Sequence, residues 1–320
     1  MLVLSWSCGK DPLGERGLAA IFGLGLIGRS VQNALNRAVQ PSTTKFESAW
    51  GSADERNRDL EAIASHIGDL LQRDQRKTHV DIVWSAGRAG FAASEAECSQ
   101  ELDALKSVIA FASRLMELRQ RPQIRFHLLS SAGGLFECQC NVGSGSEPRP
   151  LRPYGRTKLE QEKILSALTG HAIKYVYRPS SVYGSSGRGG RAGLIVTLIH
   201  SAINNQTTRI FGSYETLRDY VFADDVGKFI CRQILRGEPR SQTFLLASGR
   251  PASMMEAIRL VERAMNRELL LQFQRSGNNT SSNTFRPSAL PHDWFPTQLE
   301  IGISATAMRI RGELLQSSSF

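Results

Sequence analysis

Tyr154-Gly-Arg-Thr-Lys158 sets a phenol and an ammonium four residues apart, a spacing that puts both on one face of a helix. A cation beside a phenol favours the phenolate and draws its pKa down from about 10. The result is a base usable near neutral pH. With 6 tyrosines and 8 lysines in 320 residues, chance supplies roughly 0.15 such pairs. Context adds weight. The pair follows an apolar run that ends in Ser130-Ser131, and it lies downstream of Gly23-Leu-Gly25-Leu-Ile-Gly28.

The glycine run follows a strand and opens a helix, where each glycine has its own task. Gly23 permits a tight turn, Gly25 lets the backbone approach a pyrophosphate, and Gly28 lets helix and strand pack closely. The helix start then offers amides and a positive dipole to phosphates. An acid that holds the adenosine ribose is expected about 20 residues on, and Glu47, 19 after Gly28, is the candidate. It reads equally as a solvated strand residue. Arg29 would instead suit a 2′-phosphate, so NAD leads and NADP stays open.

Short apolar runs alternating with longer amphipathic ones position these groups, the pattern of a parallel, doubly wound α/β sheet. Strands are expected at 18–23, 44–48, 80–85, 125–131, 173–178 and 243–247. Helices are expected at 27–38, 54–73, 95–118, 155–168, 191–204, 224–236 and 253–266. The last opens on the capping box Ser253-Met-Met-Glu256. Ligands of such sheets bind at the strands' carboxyl ends. The turn-rich stretch 143–150 and the glycine-rich basic stretch 184–191 read as surface loops beside the site. The polar region 275–288 reads as an excursion.

Composition bounds the alternatives. Hydrophobic residues are 41% and charged residues 22%, ordinary for a globular chain. The net charge of +9 comes mainly from arginine and lacks a basic block with interleaved aromatics, which argues against nucleic acid. No run reaches the 18 apolar residues of a membrane helix. Residues 1–16 read as an N-terminal extension rather than a signal peptide. Five cysteines (Cys8, Cys98, Cys138, Cys140 and Cys231) make an odd, unframed set that suits reduced thiols in the cytoplasm. Cys138-Gln-Cys140 is too tight for a zinc knuckle, so no metal is expected.

Three stretches in order carry a resemblance: Tyr154-Gly-Arg-Thr-Lys-Leu-Glu-Gln-Glu-Lys163, Arg178-Pro-Ser-Ser-Val-Tyr-Gly184 and Leu217-Arg-Asp-Tyr-Val-Phe-Ala-Asp-Asp-Val226. From about Leu18 to Met265 the chain resembles the extended short-chain dehydrogenase/reductases, specifically the NAD-dependent nucleotide-sugar epimerase/dehydratase family. The resemblance implies a Rossmann-type domain over 17–180 and 215–248, with a smaller substrate lobe over 181–214 and 249–320. It makes Tyr154 the general acid or base, Lys158 its partner on the nicotinamide ribose and Ser131 the orienting hydroxyl. Cofactor contacts would come from Gly23, Gly25, Leu26, Ile27, Gly28, Glu47, Ala86, Gly87, Lys158, Pro179 and Ser180. Ser130, Ser181 and Arg218 would meet the nucleotide sugar, Arg218 by bonding two diphosphate oxygens at once. The bland role for Arg218 is a salt bridge to Asp219, Asp224 or Asp225. A homodimer through the two long helices near 95–118 and 155–168 is a further implication.

The departures from the family pattern matter. Phe22 stands at its first glycine, Ser181 and Glu101 stand where asparagines are usual, and Ala132 occupies the place of the catalytic hydroxyl, one residue after Ser131. A family dehydratase carries Asp-Glu after its catalytic threonine, where this chain has Ala132-Gly133-Gly134. The expected activity is therefore a 4-epimerase or keto-reductase of surface-polysaccharide assembly. The rival is a dinucleotide-binding sensor or scaffold that has lost catalysis.

Overall fold

The computed structural model describes residues 1–7, 16–47, 52–74, 79–87, 89–185, 187, 193–274 and 282–317. Cys8, Ser48, most of the 184–191 stretch and residues 275–281 of the polar region lie outside that set. The first elements in chain order are β1 (Leu2–Ser7), β2 (Arg16–Phe22), α1 (Leu26–Val39), β3 (Ser42–Lys45), α2 (Ala53–Arg73) and β4 (His79–Trp84). Next come α3 (Glu95–Met116), β5 (Gln123–Leu129), α4 (Ala132–Leu135), α5 (Pro153–Ser166), β6 (Ile173–Pro179) and β7 (Ser181–Tyr183). These are followed by α6 (Leu194–Asn204), β8 (Thr208–Phe211), β9 (Leu217–Arg218), β10 (Tyr220–Phe222), α7 (Ala223–Arg236) and β11 (Gln242–Leu246). The chain then closes with β12 (Ala252–Ser253), α8 (Met254–Met265), β13 (Leu271–Gln274) and α9 (Leu299–Ser317).

The chain divides into two units. One holds Met1–Leu135, Pro150–Arg178 and Gly227–Phe244; the other holds Phe136–Arg149, Pro179–Val226 and Leu245–Phe320. Residues 143–149 of the turn-rich stretch and residues 215–226 lie in the second unit.

The first unit is built on a seven-stranded sheet in the order β11-β6-β5-β4-β2-β1-β3. Neighbours β2, β4, β5 and β6 run parallel, whereas β1 is antiparallel to both β2 and β3. This corrects the expectation of an N-terminal extension, because residues 2–7 are an inner strand. Leu2, Val3, Leu4 and Trp6 are buried. Trp6 pairs with Gly17 across the ladder, and any side chain at Gly17 would overlap the Trp6 indole. The missing side chain is what admits the large ring.

Side chains alternate across the strands, and the two faces of this sheet differ sharply. Val80, Ile82, Trp84, Ile124, Phe126, Leu128 and Val176 share an apolar core with Leu60, Ile63, Leu105, Phe111 and Leu165 from α2, α3 and α5. The odd-numbered positions carry Asp81, Arg125, His127, Tyr175 and Tyr177 instead. Arg125 donates to Asp81 Oδ2 at 2.6 Å and to the Ile234 carbonyl of α7. His127 Nε2 lies 2.8 Å from Asp81 Oδ1, and its Nδ1 lies 2.8 Å from the Tyr177 hydroxyl. A carboxylate can only accept, so Nε2 bears the proton and Nδ1 accepts from Tyr177. Phe229 of α7 meets the Tyr177 ring edge-on. Gly227 of the same helix approaches Ser30 of α1 so closely that a Cβ would overlap it.

In the second unit β7 pairs with β10 and β8 with β13, both parallel, and β9 pairs with β12 antiparallel. Helices α6, α8 and α9 supply Leu198, Ile199, Ala257, Val261, Ile303 and Ile310 to its core. Ser253 caps α8 by accepting from the Glu256 amide. The reciprocal capping box forms at Ser94 and Glu97, the start of α3.

The Asp81 network makes stability depend on pH. Burial raises the Asp81 carboxyl, but Arg125 and His127 outweigh it and hold the group below its ordinary 3.8. Desolvation keeps the His127 imidazole below its ordinary 6.5. Both folded values are depressed, so the unfolded chain binds more protons in each window. Stability from His127 should be complete above pH 6.5 and fall as pH drops below it, with the Asp81 share lost below 3.8. Urea unfolding followed by tryptophan fluorescence should show this decline, and His127→Phe should flatten its upper part. Asp81→Asn, which leaves the Arg125 charge buried without its partner, should cost about 3–5 kcal/mol at neutral pH.

Candidate active site

The glycine turn between β2 and α1 meets three separate demands. Gly23 has φ +90, a conformation that a side chain disfavours, and a Cβ there would crowd the Ala86 backbone. Gly28 sits where a Cβ would overlap the Gly23 carbonyl oxygen. Gly25, the N-cap of α1, has ordinary extended φ −74 and ψ −159, yet nothing lies within 4 Å of where its Cβ would stand. Strain and contact explain the first and last glycines, while open space surrounds the middle one. Leu26 and Ile27 form the first turn of α1. That combination fits a dinucleotide pyrophosphate lying over Gly25 against free helix amides. Ser85 braces the turn from β4's end by donating to the carbonyls of Phe22 and Gly23.

Because β1 stands between β2 and β3, the strand leading to Glu47 is two spacings from the turn, about 9–10 Å rather than 5. Its side chain is 92% exposed and 3.8 Å from Lys45. Arg29 folds back to donate to the Leu24 carbonyl at 2.8 Å.

Tyr154 and Lys158 stand on the first two turns of α5, with the ammonium 5.7 Å from the phenol ring centroid. Proline at the first helical position and the fixed φ it brings start this helix. Gly134 of α4 comes so close that a Cβ there would sit 2.9 Å from Tyr154 Cε1. Phe91, in the loop between β4 and α3, covers the ring, centroids 5.3 Å apart. Lys158 is buried, and its Nζ donates to Glu101 Oε1 at 2.9 Å and Gln161 Oε1 at 3.0 Å. Glu101 also accepts from the Ala89 amide and from Gln161. Burial pushes the Glu101 carboxyl up, but the Lys158 charge and these hydrogen bonds bring it below its ordinary range. The pair lies directly under the loop after β4, where a Cβ on Gly87 would be 3.0 Å from Glu101 Oε1 and 3.3 Å from Lys158 Nζ.

The two serines at the end of β5 have different partners. Ser131 Oγ accepts from the Gly134 amide at 3.1 Å, which starts α4 and leaves its own O–H available to donate. Ala132 is fully buried. Ser130 donates to Glu162 Oε1 at 2.6 Å, and Arg178 holds the same carboxylate through two bonds. Gln161 and Glu162 were not among the expected site residues, although both lie on α5 seven and eight residues after Tyr154.

Pro179, Ser180, Ser181 and Arg218 belong to the second unit. There Asp219 is a hub: its carboxylate accepts from Ser180 Oγ at 2.7 Å and from the Ser248 and Gly249 amides. Its own carbonyl accepts from the Ser181 amide. Desolvation nevertheless leaves the carboxyl above its usual value. Asp224 pairs with Arg309, and Asp225 accepts from Thr297. Those carboxylates thus serve the framework of their own unit, and Arg218 pairs along the backbone with Ala252.

With this geometry in hand, known proteins provide a frame. The model of the NAD-dependent epimerase/dehydratase family matches residues 20–245. The chain belongs to that family. Among relatives, an uncharacterised UDP-glucose epimerase of Bacillus subtilis, YtcB, is 26% identical over 54% of this chain and 55% of its own length. A dTDP-4-dehydro-6-deoxyglucose reductase of Escherichia coli is 30% identical over 40% of this chain and 42% of its own. The chain spans about half the length of these relatives. In fold it is similar to MoeE5, solved in complex with UDP-glucose and NAD, at TM-score 0.74 and 18% identity over 92% of this chain and 99% of that one. No candidate group of metal ligands and no helix able to cross a membrane occurs among the described residues.

The contrast between two glycines is testable. Gly25→Ala should leave the unfolding free energy within about 0.5 kcal/mol of the parent, while dinucleotide affinity, read by fluorescence titration, falls about tenfold or more. Gly28→Ala should instead destabilise the fold by about 1–3 kcal/mol through overpacking. Equal stability losses in the two variants would contradict the open space over Gly25.

Proposed function

We propose that the chain is an NAD-dependent oxidoreductase of nucleotide sugars, either a 4-epimerase or a keto-reductase. The observation that carries this reading is the phenol of Tyr154 stacked one turn above a buried ammonium, on a unit that also holds the glycine turn. Bound NAD supplies a hydride acceptor and, when reduced, a hydride donor. Tyr154 exchanges a proton with the sugar oxygen, and the Ser131 O–H, still free to donate, orients that oxygen. Lys158 fixes the charge beside the phenol, and Arg218, Ser181 and Ser180 are assigned to the sugar nucleotide and the nicotinamide side. The nucleotide sugars and NAD named for YtcB, the E. coli reductase and MoeE5 support the substrate class and cofactor. Elimination chemistry is disfavoured because Ala132-Gly133-Gly134 offers no acid. The wider setting we propose is supply of sugar precursors for surface polysaccharide, in the cytoplasm.

One observation favours a second reading. Ala132 is buried where the family has its hydroxyl, and Ser131 already accepts from Gly134. A chain without turnover that still binds the cofactor would be a sensor or scaffold. Screening sugar nucleotides for substrate-dependent change in cofactor absorbance separates the two. For the enzyme, Tyr154→Phe should lower turnover by about 10²–10⁴-fold while cofactor affinity stays within about twofold of the parent. Full activity in that variant would remove Tyr154 from the chemistry.

A further inference from the structure

The strand order bears on which dinucleotide the first unit selects. In a doubly wound sheet an acid about 20 residues after the glycines, at the end of the adjoining strand, holds the adenosine 2′-hydroxyl. Where an arginine stands nearby instead, it accommodates the 2′-phosphate of NADP. Here the strand adjoining β2 is β1, and it runs the opposite way. Its amino end therefore reaches the level of the glycine turn, with Leu2 across from Ile21. Both side chains there are apolar: Leu2 is buried, and Met1 packs against the apolar core. The nearest acids sit on other elements. Glu47 follows β3, one strand further out, and is exposed beside Lys45. Residues 48–51 lie outside the described set, and their sequence Ser-Ala-Trp-Gly adds no carboxylate. Asp54 and Glu55 are in the first turn of α2, where they complement that helix's own dipole. Helix α2 packs with α3 on the apolar face of the sheet, whereas α1 lies with α7 on the other. A cation, by contrast, is in place. Arg29 directly follows Gly28, and its Nε donates to the Leu24 carbonyl within the turn at 2.8 Å. That bond lays the guanidinium against the turn, and its two terminal nitrogens have no partner among the described residues. Helix α1 has no acid in its first turn to answer this charge.

We infer that the dinucleotide site lacks the carboxylate that turns away a 2′-phosphate and that Arg29 receives this group, so NADP binds at least as tightly as NAD. The inference rests on the dinucleotide-binding part of the reading above. A carboxylate at the ribose favours NAD in two ways: it accepts from the 2′-hydroxyl and repels a phosphate. With an apolar strand end in that place, neither effect operates. The phosphate brings about two negative charges where NAD has a neutral hydroxyl. A guanidinium bonds two phosphate oxygens at once through its planar fork. NAD keeps the hold that both dinucleotides share, the pyrophosphate over Gly25 and the amides that open α1. What NADP adds is the contact to Arg29. The insertion of β1 thus sets cofactor choice without touching the nicotinamide end.

The test needs no sugar substrate. Dissociation constants of NAD and NADP are read by fluorescence titration of the full chain. In the parent the NADP constant should equal that of NAD or lie below it, and added salt should weaken NADP more than NAD. Arg29→Gln should lower the ratio of NADP to NAD affinity by about tenfold. Taking the ratio cancels any effect of losing the Leu24 bond, which both ligands would feel. Glu47→Gln and Asp54→Asn should each leave NAD affinity within about twofold of the parent. NADP bound about tenfold more weakly than NAD in the parent would overturn the inference. So would an unmoved ratio in Arg29→Gln, or a loss of NAD affinity of about tenfold in either acid variant, which would restore a carboxylate to the ribose. Should Arg29→Gln not fold by circular dichroism, Arg29→Met is read by the same criteria. The two readings fail separately. Turnover with NAD in a chain that does not bind NADP removes the inference alone. Tight NADP without turnover on any sugar nucleotide removes the oxidoreductase reading and leaves the inference standing.

Discussion

A cation sealed from water is the constraint on which the first unit's working end is built. The buried Lys158 ammonium is surrounded by a carboxylate, an amide oxygen and a carbonyl. Breaking such a pair costs several kcal/mol, far more than an exposed pair is worth. The partners come from α3, α5 and β5, so the pair fixes the two long helices against the sheet and sets the height of Tyr154 above it. The loop after β4 packs closely on the same pair, since a Cβ at position 87 would crowd both charges.

A second polar cluster works on the opposite face of the same sheet. Asp81, Arg125, His127 and Tyr177 sit where parallel strands usually bury aliphatic residues, and each finds a partner one strand away. The cluster touches neither the glycine turn nor Tyr154. Its geometric effect is to tie β4 to β5 through Asp81 with Arg125 and His127, and β5 to β6 through His127 with Tyr177. Apolar packing on one face and directional bonds on the other therefore share the task of holding β5, whose end delivers Ser130 and Ser131.

Much of this was legible in the residues. The strands and helices of the first unit stand within a few residues of where apolar periodicity puts them, and the glycine turn and Tyr154-Lys158 pair fall on the expected elements. What escaped depended on distant partners. Residues 2–7 contain serines and lack a helical or strictly alternating pattern, and they become a strand only by pairing with β2 and β3. Helix α9 gave no periodic signal because Ile301, Met308 and Leu315 face outward at 58–72% exposure, while Ile303, Ala307 and Ile310 face inward. Buried polar strand residues such as Asp81 look like solvated positions until the strand beside them is known. Glu101 was visible as a departure from the family, but its bond to Lys158 spans 57 residues and follows only from the packing of α3 on α5.

The notch that Gly17 leaves for Trp6 has a consequence for how the strand finds its place. A slip of one residue would set the indole against Arg16 or Leu18 and exchange Val3 and Leu4 between the two buried faces of the strand. A strand that slides freely between two neighbours invites mispairing or exchange between molecules. Here a single bulky ring fits a single gap, so the insertion of β1 into the sheet is addressed as well as stabilised.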